Sequence, residues 1–432
     1  MASLRTSSIC RRIAGNLMNK LIQAAAVACI LAATAAGAPV WAASSGKDHN
    51  VQALDQYTAA KLQNAQKELK DKKYAEALSD LQDLANDVKD KPYALALTDR
   101  MIAYVFIEQK EYKKALPYFQ KAVDLKSLPD QQQHAALMAL AQLYVATEQY
   151  RDAIGVLEKW FAEEKKAQQK PDADAYILAA QAYYQVKDLK KARYYSKKAI
   201  AESAEPQQGW YTLLVGVDYR LKNFDEAADL LKKMISYWPD KAEYWHNLYG
   251  IYLQQNKEKE ALDVMRLAYS KGMMDDESDL LNLARLEITH DMPYYAGEVI
   301  SKGMKDNKVK TNIDNLRLLV TAWTSAQETD KALDTLDQAA KLSKDGQLYL
   351  KKAQLCYVQT DWDCTVKAAE DALAKGGLDQ PGNAYIYKGE ALMQNKKYDK
   401  AKAAFVKAEH YDESKTTARQ WLDYIRRLRS TS

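Results

Sequence analysis

Apolar residues along most of this chain recur three, four and seven positions apart, a spacing that gathers them on one face of a helix. The stripes come in short segments, broken by polar turns. Within them a small residue returns at a near-constant interval: Ala77, Ala115, Ala153, Ala192, Ala227, Ala261, Ala296, Ala332, Thr365 and Ala401, spaced 33 to 39 residues apart. A period of that size predicts one pair of helices repeated along the chain. Tyr74, Tyr112, Tyr150, Leu189, Phe224, Trp362 and Tyr398 are expected to open the second helices and plug each junction. Ala103, Ala141, Ala180, Ala284, Ala353 and Gly389 fall midway along first helices, where only a small residue lets a partner helix approach. No pair buries enough surface alone, so neighbours must stack into one continuous core. The expectation is an all-α array of about ten units over residues 55–412. Its first unit (Ala60–Lys89) and seventh (Asp279–Lys305, with Pro293 at the junction) are the most irregular. Residues 413–432 read as a capping helix and tail, with Trp421, Leu422 and Ile425 covering the last unit and Arg426, Arg427 and Arg429 facing water.

The clearest copy is AYIYKGEALMQNKKYDKAKAAFVKAEHYD, in which Tyr385, Gly389, Tyr398, Ala401, Phe405 and Ala408 stand at offsets 0, 4, 13, 16, 20 and 23. That pattern resembles the tetratricopeptide repeat (TPR), and the resemblance covers roughly residues 55–412. It implies a TPR superhelical solenoid with a protein-binding role. In that family, first helices line the concave face. The contacting positions, carried over, are Ile177, Gln181 and Tyr184; Thr212, Gly216, Tyr219 and Arg220; His246, Gly250 and Leu253; Leu281, Arg285 and Ile288. Gly216 and Gly250 share a repeat position, and the loss of two side chains would open the groove floor. Tyr184, Tyr219, Arg220, His246 and Arg285 would ring that opening, and Tyr and Arg are the residues that anchor interfaces. The competing reading is that the glycines serve tight helix packing within a solenoid that is rich in Tyr throughout, with 29 in the chain. The basic residues do not match the carboxylate clamp of chaperone-binding TPRs.

Residues 1–42 contain no acidic residue, carry Arg5, Arg11, Arg12 and Lys20, and run apolar from Leu21 to Ala38. With Val40 and Ala42 at the minus-three and minus-one positions, they read as a Sec signal cleaved after Ala42. Met18 alone opens a complete signal, which makes residues 1–17 an upstream extension. An uncleaved anchor and a lipoprotein processed at Cys29 are the competing readings. Residues 43–54 read as a disordered tether. Removing the leader changes the charge: it holds four of the 62 basic residues and none of the 58 acidic ones, so the processed chain is 58 against 58. That balance offers no electrostatic case for nucleic acid or anionic lipid.

Catalytic chemistry has no foothold in this sequence. The five histidines are scattered, and HExxH, phosphate-loop and GxSxG patterns are all missing. No non-repeat stretch remains for a catalytic domain. The chain reads as non-enzymatic, with no cofactor and no metal site. Cys356 and Cys364 survive processing, face one another across a predicted turn, and suggest a disulfide in an oxidising compartment. Alternatively Cys356 fills an apolar slot and Cys364 is incidental. The segments LLNLARLEITHDMPYYAGEVISKGM and KAAEDALAKGGL resemble exported TPR proteins of Gram-negative bacteria associated with TonB, ExbB and ExbD. The resemblance implies a periplasmic interaction scaffold, accessory to TonB-dependent energy transduction and iron uptake, with TonB-family or outer-membrane receptor components as partners. The alternative is a periplasmic scaffold for polysaccharide or peptidoglycan assembly.

Overall fold

The computed structural model describes residues 54–430. The expected leader and cleavage site, the expected tether up to residue 53 and the side chain of Arg429 lie outside the described residues. The chain divides into two compact units, 54–255 and 256–430, at the turn of the sixth helix pair.

The first unit pairs α1 (Gln56–Lys70) with α2 (Tyr74–Asp87), α3 (Pro92–Glu108) with α4 (Tyr112–Asp124), and α5 (Asp130–Ala146) with α6 (Tyr150–Lys166). It continues through α7 (Ala173–Gln185) with α8 (Leu189–Glu202) and α9 (Gln208–Arg220) with α10 (Phe224–Tyr237), and ends on α11 (Ala242–Gln254). The second unit begins with α12 (Glu258–Ser270). It then pairs α13 (Glu277–Thr289) with α14 (Pro293–Lys305), α15 (Ile313–Ser325) with α16 (Thr329–Leu342), α17 (Gln347–Val358) with α18 (Trp362–Lys375), and α19 (Pro381–Gln394) with α20 (Tyr398–Ala408). α21 (Lys415–Ser430) closes it.

Three residues separate the two helices of every pair. The middle one is always left-handed and never glycine: Lys72, Lys110, Glu148, Lys187, Lys222, Asn256, Asp291, Gln327, Thr360 and Lys396, with φ from 55° to 66°. In nine of these turns the N–H of the third residue bonds back to a carbonyl five residues earlier, as in Lys73 to Glu68, Asp188 to Tyr183 and Asp361 to Cys356. This is a Schellman ending on the first helix, and it satisfies carbonyls that the helix terminus would otherwise leave open. The next residue starts the second helix, which is why Tyr74, Tyr112, Phe224 and Trp362 stand at first helical positions.

The periodic alanines are buried completely: Ala77, Ala115, Ala153, Ala192 and Ala227 in the first unit, and Ala261, Ala296, Ala332 and Ala401 in the second. Around them the first unit packs large side chains. One cluster reaches from Leu62 to Ala175, another from Ala141 to Val217. Phe161 stacks on Tyr176 and on Tyr195, each at 5.3 Å, and Tyr195 stacks on Tyr183 at 5.4 Å. Asp218 is fully buried, bonded to the Arg193 guanidinium and the Asn223 amide.

The second unit's core is broken into smaller groups, one of them only Ala353, Ala368 and Ala369. Glycine brings its helices together. A Cβ on Gly389 would meet the Phe405 ring at 2.5 Å, and one on Gly297 would meet the Trp323 ring at 2.4 Å. Cys356 and Cys364 are joined as a disulfide across the ninth turn. α21 seals the end: Trp421 stacks on Phe405 with centroids 5.5 Å apart and donates to Glu390, while Ile425 and Ala418 are buried.

Candidate partner-binding surfaces

The residues carried over from the repeat pattern lie on the first helices of their pairs, divided between the two units. In the first unit, Ile177, Gln181 and Tyr184 fall four and three residues apart on α7, which puts them on one face. All three are buried. The Arg220 guanidinium at the end of α9 lies 4.5 Å over the Tyr184 ring, with its own side chain exposed. Burial raises the Tyr184 hydroxyl pKa, and the Arg220 charge opposes that shift. The Tyr184 hydroxyl is buried with no hydrogen-bond partner among the described residues.

Gly216 is buried in α9, so at this position the first unit is packed rather than open. Tyr219 turns towards its own hairpin and meets Phe224 edge-on at 5.5 Å. On α11, Gly250 is half-buried and the half-buried His246 ring lies edge-on to Tyr249 at 5.7 Å. The exposed cation of this set is therefore Arg220, seated on a buried tyrosine.

Arg285 belongs to the second unit. It is exposed on α13 and donates to Asn282 Oδ1 at 3.2 Å. It borders a groove of about 650 Å³ between the starts of α13 and α15. A dense polar lattice shapes that groove. The Glu277 carboxylate accepts from the Lys310 backbone N–H and from the Asn315 amide, each at 2.9 Å. Asn315 also donates to the Lys310 carbonyl, and its own N–H donates to Asn312 Oδ1. Asp276 caps α13 by accepting from the N–H groups of Ser278 and Asp279. Burial pushes the Asp276 carboxyl up, but these donors together hold it below its ordinary value. The Asn282 amide and the Arg285 and Lys310 side chains line this groove together with Asp276, Glu277 and Asp314, a polar set of mixed sign.

Sequence reasoning did not single out Asn282, Lys310, Asn312 or Asn315. The one local signal was Asn312 three residues ahead of Asn315, an N-cap spacing.

Also in the second unit, Glu287 on α13 is buried with its carboxylate 3.9 Å from the Arg266 guanidinium. Arg266 in turn lies 4.7 Å over the Tyr295 ring. Burial drives the Glu287 carboxyl up to about 7, against the pull of Arg266. Among the described residues, no helix is long and apolar enough to cross a membrane.

Residues 101–127, covering the last eight residues of α3 and all of α4, match the family model described as tetratricopeptide repeat. A curated relative, the 26S proteasome regulatory subunit RPN6 of Saccharomyces cerevisiae, is 23% identical over 295 residues. That match covers 62% of this chain and spans only 64% of the relative's length. Among solved structures, MamA from Desulfovibrio magneticus RS-1 is 22% identical with a TM-score of 0.36, covering 43% of this chain and 96% of its own. YrrB, described as a TPR protein with an unusual peptide-binding site, is 17% identical with a TM-score of 0.35, covering 43% and 91%.

Proposed function

We propose that this array of tetratricopeptide-type hairpins is a non-catalytic scaffold that binds protein partners in the periplasm, as an accessory to a TonB-dependent energy-transduction and iron-uptake system. The observation that carries the scaffold reading is the exposed Arg220 seated on Tyr184 along the first-helix face of α7 and α9. Arg and Tyr are enriched among the side chains that anchor interfaces. Export is supported by the basic-then-apolar leader and by the disulfide at Cys356 and Cys364, since such bonds persist in oxidising compartments. The TonB assignment rests on the resemblance of residues 280–304 and 367–378 to exported TPR proteins of those systems.

The test is affinity capture from crosslinked envelope, comparing wild type with an Arg220→Glu, Arg285→Glu variant whose helical circular dichroism is unchanged. TonB-family or receptor proteins captured by wild type and lost with the variant is the expected result. Capture of envelope-synthesis proteins alone replaces the TonB reading with the assembly reading. A deletion strain that grows normally on every scarce chelated iron source removes the iron role.

A further inference from the structure

Cations of this chain lie over several of its aromatic rings. Lys191 lies 4.7 Å over Tyr183, Arg266 4.7 Å over Tyr295, and Lys331 4.3 Å over Trp323 and 4.7 Å over Tyr294. The aromatic cluster beside α9 has no such cation. Where α8 passes to α9, the segment from Ser203 to Gln207 and the end of α10 enclose a pocket of about 280 Å³, lined by Trp210, Tyr211 and Tyr237. Tyr211 meets Tyr237 edge-on at 5.8 Å, and Trp238 braces both from behind, at 6.1 and 5.6 Å. Tyr211 is buried to 7% exposure, whereas Tyr237 keeps 46% of its surface open to a ligand. Among the described residues, no Lys or Arg lies over Trp210, Tyr211 or Tyr237.

The fourth wall is Glu205, an exposed residue whose carboxylate has no ion pair among the described residues. The segment that carries it is set before any ligand arrives. The Ser203 hydroxyl donates to the Glu205 carbonyl at 2.6 Å, and Pro206 restricts the next step. Aromatic faces carry negative charge density, and an acidic residue in the wall of the same pocket adds to their attraction for a positive head group.

We propose that Trp210, Tyr211, Tyr237 and Glu205 form a binding pocket for an alkylammonium or guanidinium group. Its source is either a small free cation or a Lys or Arg side chain of a docked partner. The pocket sits where one hairpin passes to the next rather than among the carried-over first-helix positions, so it stands or falls apart from the scaffold reading.

The test follows the Trp210 indole N–H by NMR in 15N-tryptophan-labelled protein, with the resonance assigned from Trp210→Phe. The probes are choline, an acetylated Gly-Arg-Gly amide, and neutral 3,3-dimethylbutanol as the uncharged counterpart of choline. Saturable shifts with a cation, weakened about fivefold or more by Glu205→Gln and by added salt, are expected. The tighter of choline and the peptide identifies the source of the cation. Three results overturn the proposal: no saturable shift with either cation at tens of millimolar, equal binding of the neutral alcohol, or unchanged affinity in Glu205→Gln.

Discussion

In the first unit, Gly155 and Gly209 face open space, with no atom within 4 Å of where a Cβ would stand. In the second, Gly389 and Gly297 lie pressed against Phe405 and Trp323. The two units draw their helices together by different means. The first fills the space between them with large side chains, and Phe161, Tyr176, Tyr183 and Tyr195 form a stacked aromatic layer in its core. The second lets backbone and ring touch directly, joins Cys356 to Cys364, and lays α21 over the end. A core made of many bulky contacts can relax around a lost methyl group, whereas one made of close backbone contacts has little room to move. The second unit is therefore expected to be the more brittle.

The sharpest way to break this contrast is a methyl group at Gly389. The Phe405 ring is held under Trp421 and cannot swing aside, so Gly389→Ala should cost ~3 kcal/mol. Hydrogen exchange should report the loss in residues 256–430 while 54–255 keep their protection. Gly155→Ala, the matching change in the first unit, should be neutral or stabilising by ~0.5–1 kcal/mol.

Opening the disulfide comes next. Cys364→Ser should cost the second unit ~2–3 kcal/mol, the entropy of closing a loop with a sequence separation of 8. A reductant should lower the midpoint of urea unfolding by the same amount in wild type and by nothing in the variant.

Glu287 gives a smaller, pH-dependent effect. Its folded carboxyl titrates at about 7 against an ordinary 4.5, so the folded chain holds a proton that the unfolded chain releases. Stability is therefore lost as pH rises from 4.5 towards 7, and the loss is complete above that. Glu287→Gln should stabilise the second unit by ~2 kcal/mol at pH 8 and hardly at all at pH 4, read from urea melts at the two pH values. A gain that does not change with pH would mean that Glu287 is not the titrating group.

The smallest effect lies in a turn. Thr360 is β-branched and held at φ 59°, where branching at Cβ is disfavoured. Thr360→Asn should raise the melting temperature of the second unit, by ~1 kcal/mol in stability.

Most of the fold was legible because it repeats. The alanine period placed every pair, and Tyr74, Phe224 and Trp362 marked second helices because a ring at the first helical position closes the junction. Trp421 and Ile425 read as a cap from their spacing alone. What the sequence concealed depends on contacts between distant residues. Nothing near Gly389 says that Phe405 will lean on it, while Gly155, also within a helix, touches nothing. The division at Gln255 carries no local mark, because a turn at a unit boundary looks like every other turn. The candidate surfaces were harder to see still. Family positions led to Arg220 and Arg285, but the groove beside Arg285 depends on Asn312 and Asn315 being drawn to Glu277 from the next hairpin. The pocket at Trp210 arises where Tyr237 is carried back to the segment that holds Glu205.

The ten identical turns decide where this lineage can change length. A Schellman ending fixes three residues and leaves no room for a fourth, so insertions and deletions inside a hairpin are closed to it. The passages from one hairpin to the next run from four residues to seven, and they absorb part of the variation in the repeat period. Novelty in this chain should therefore accumulate along the edge where hairpins hand over to one another. Homologues should differ most there, at segments such as Ser203–Gln207, and keep their three-residue turns unaltered.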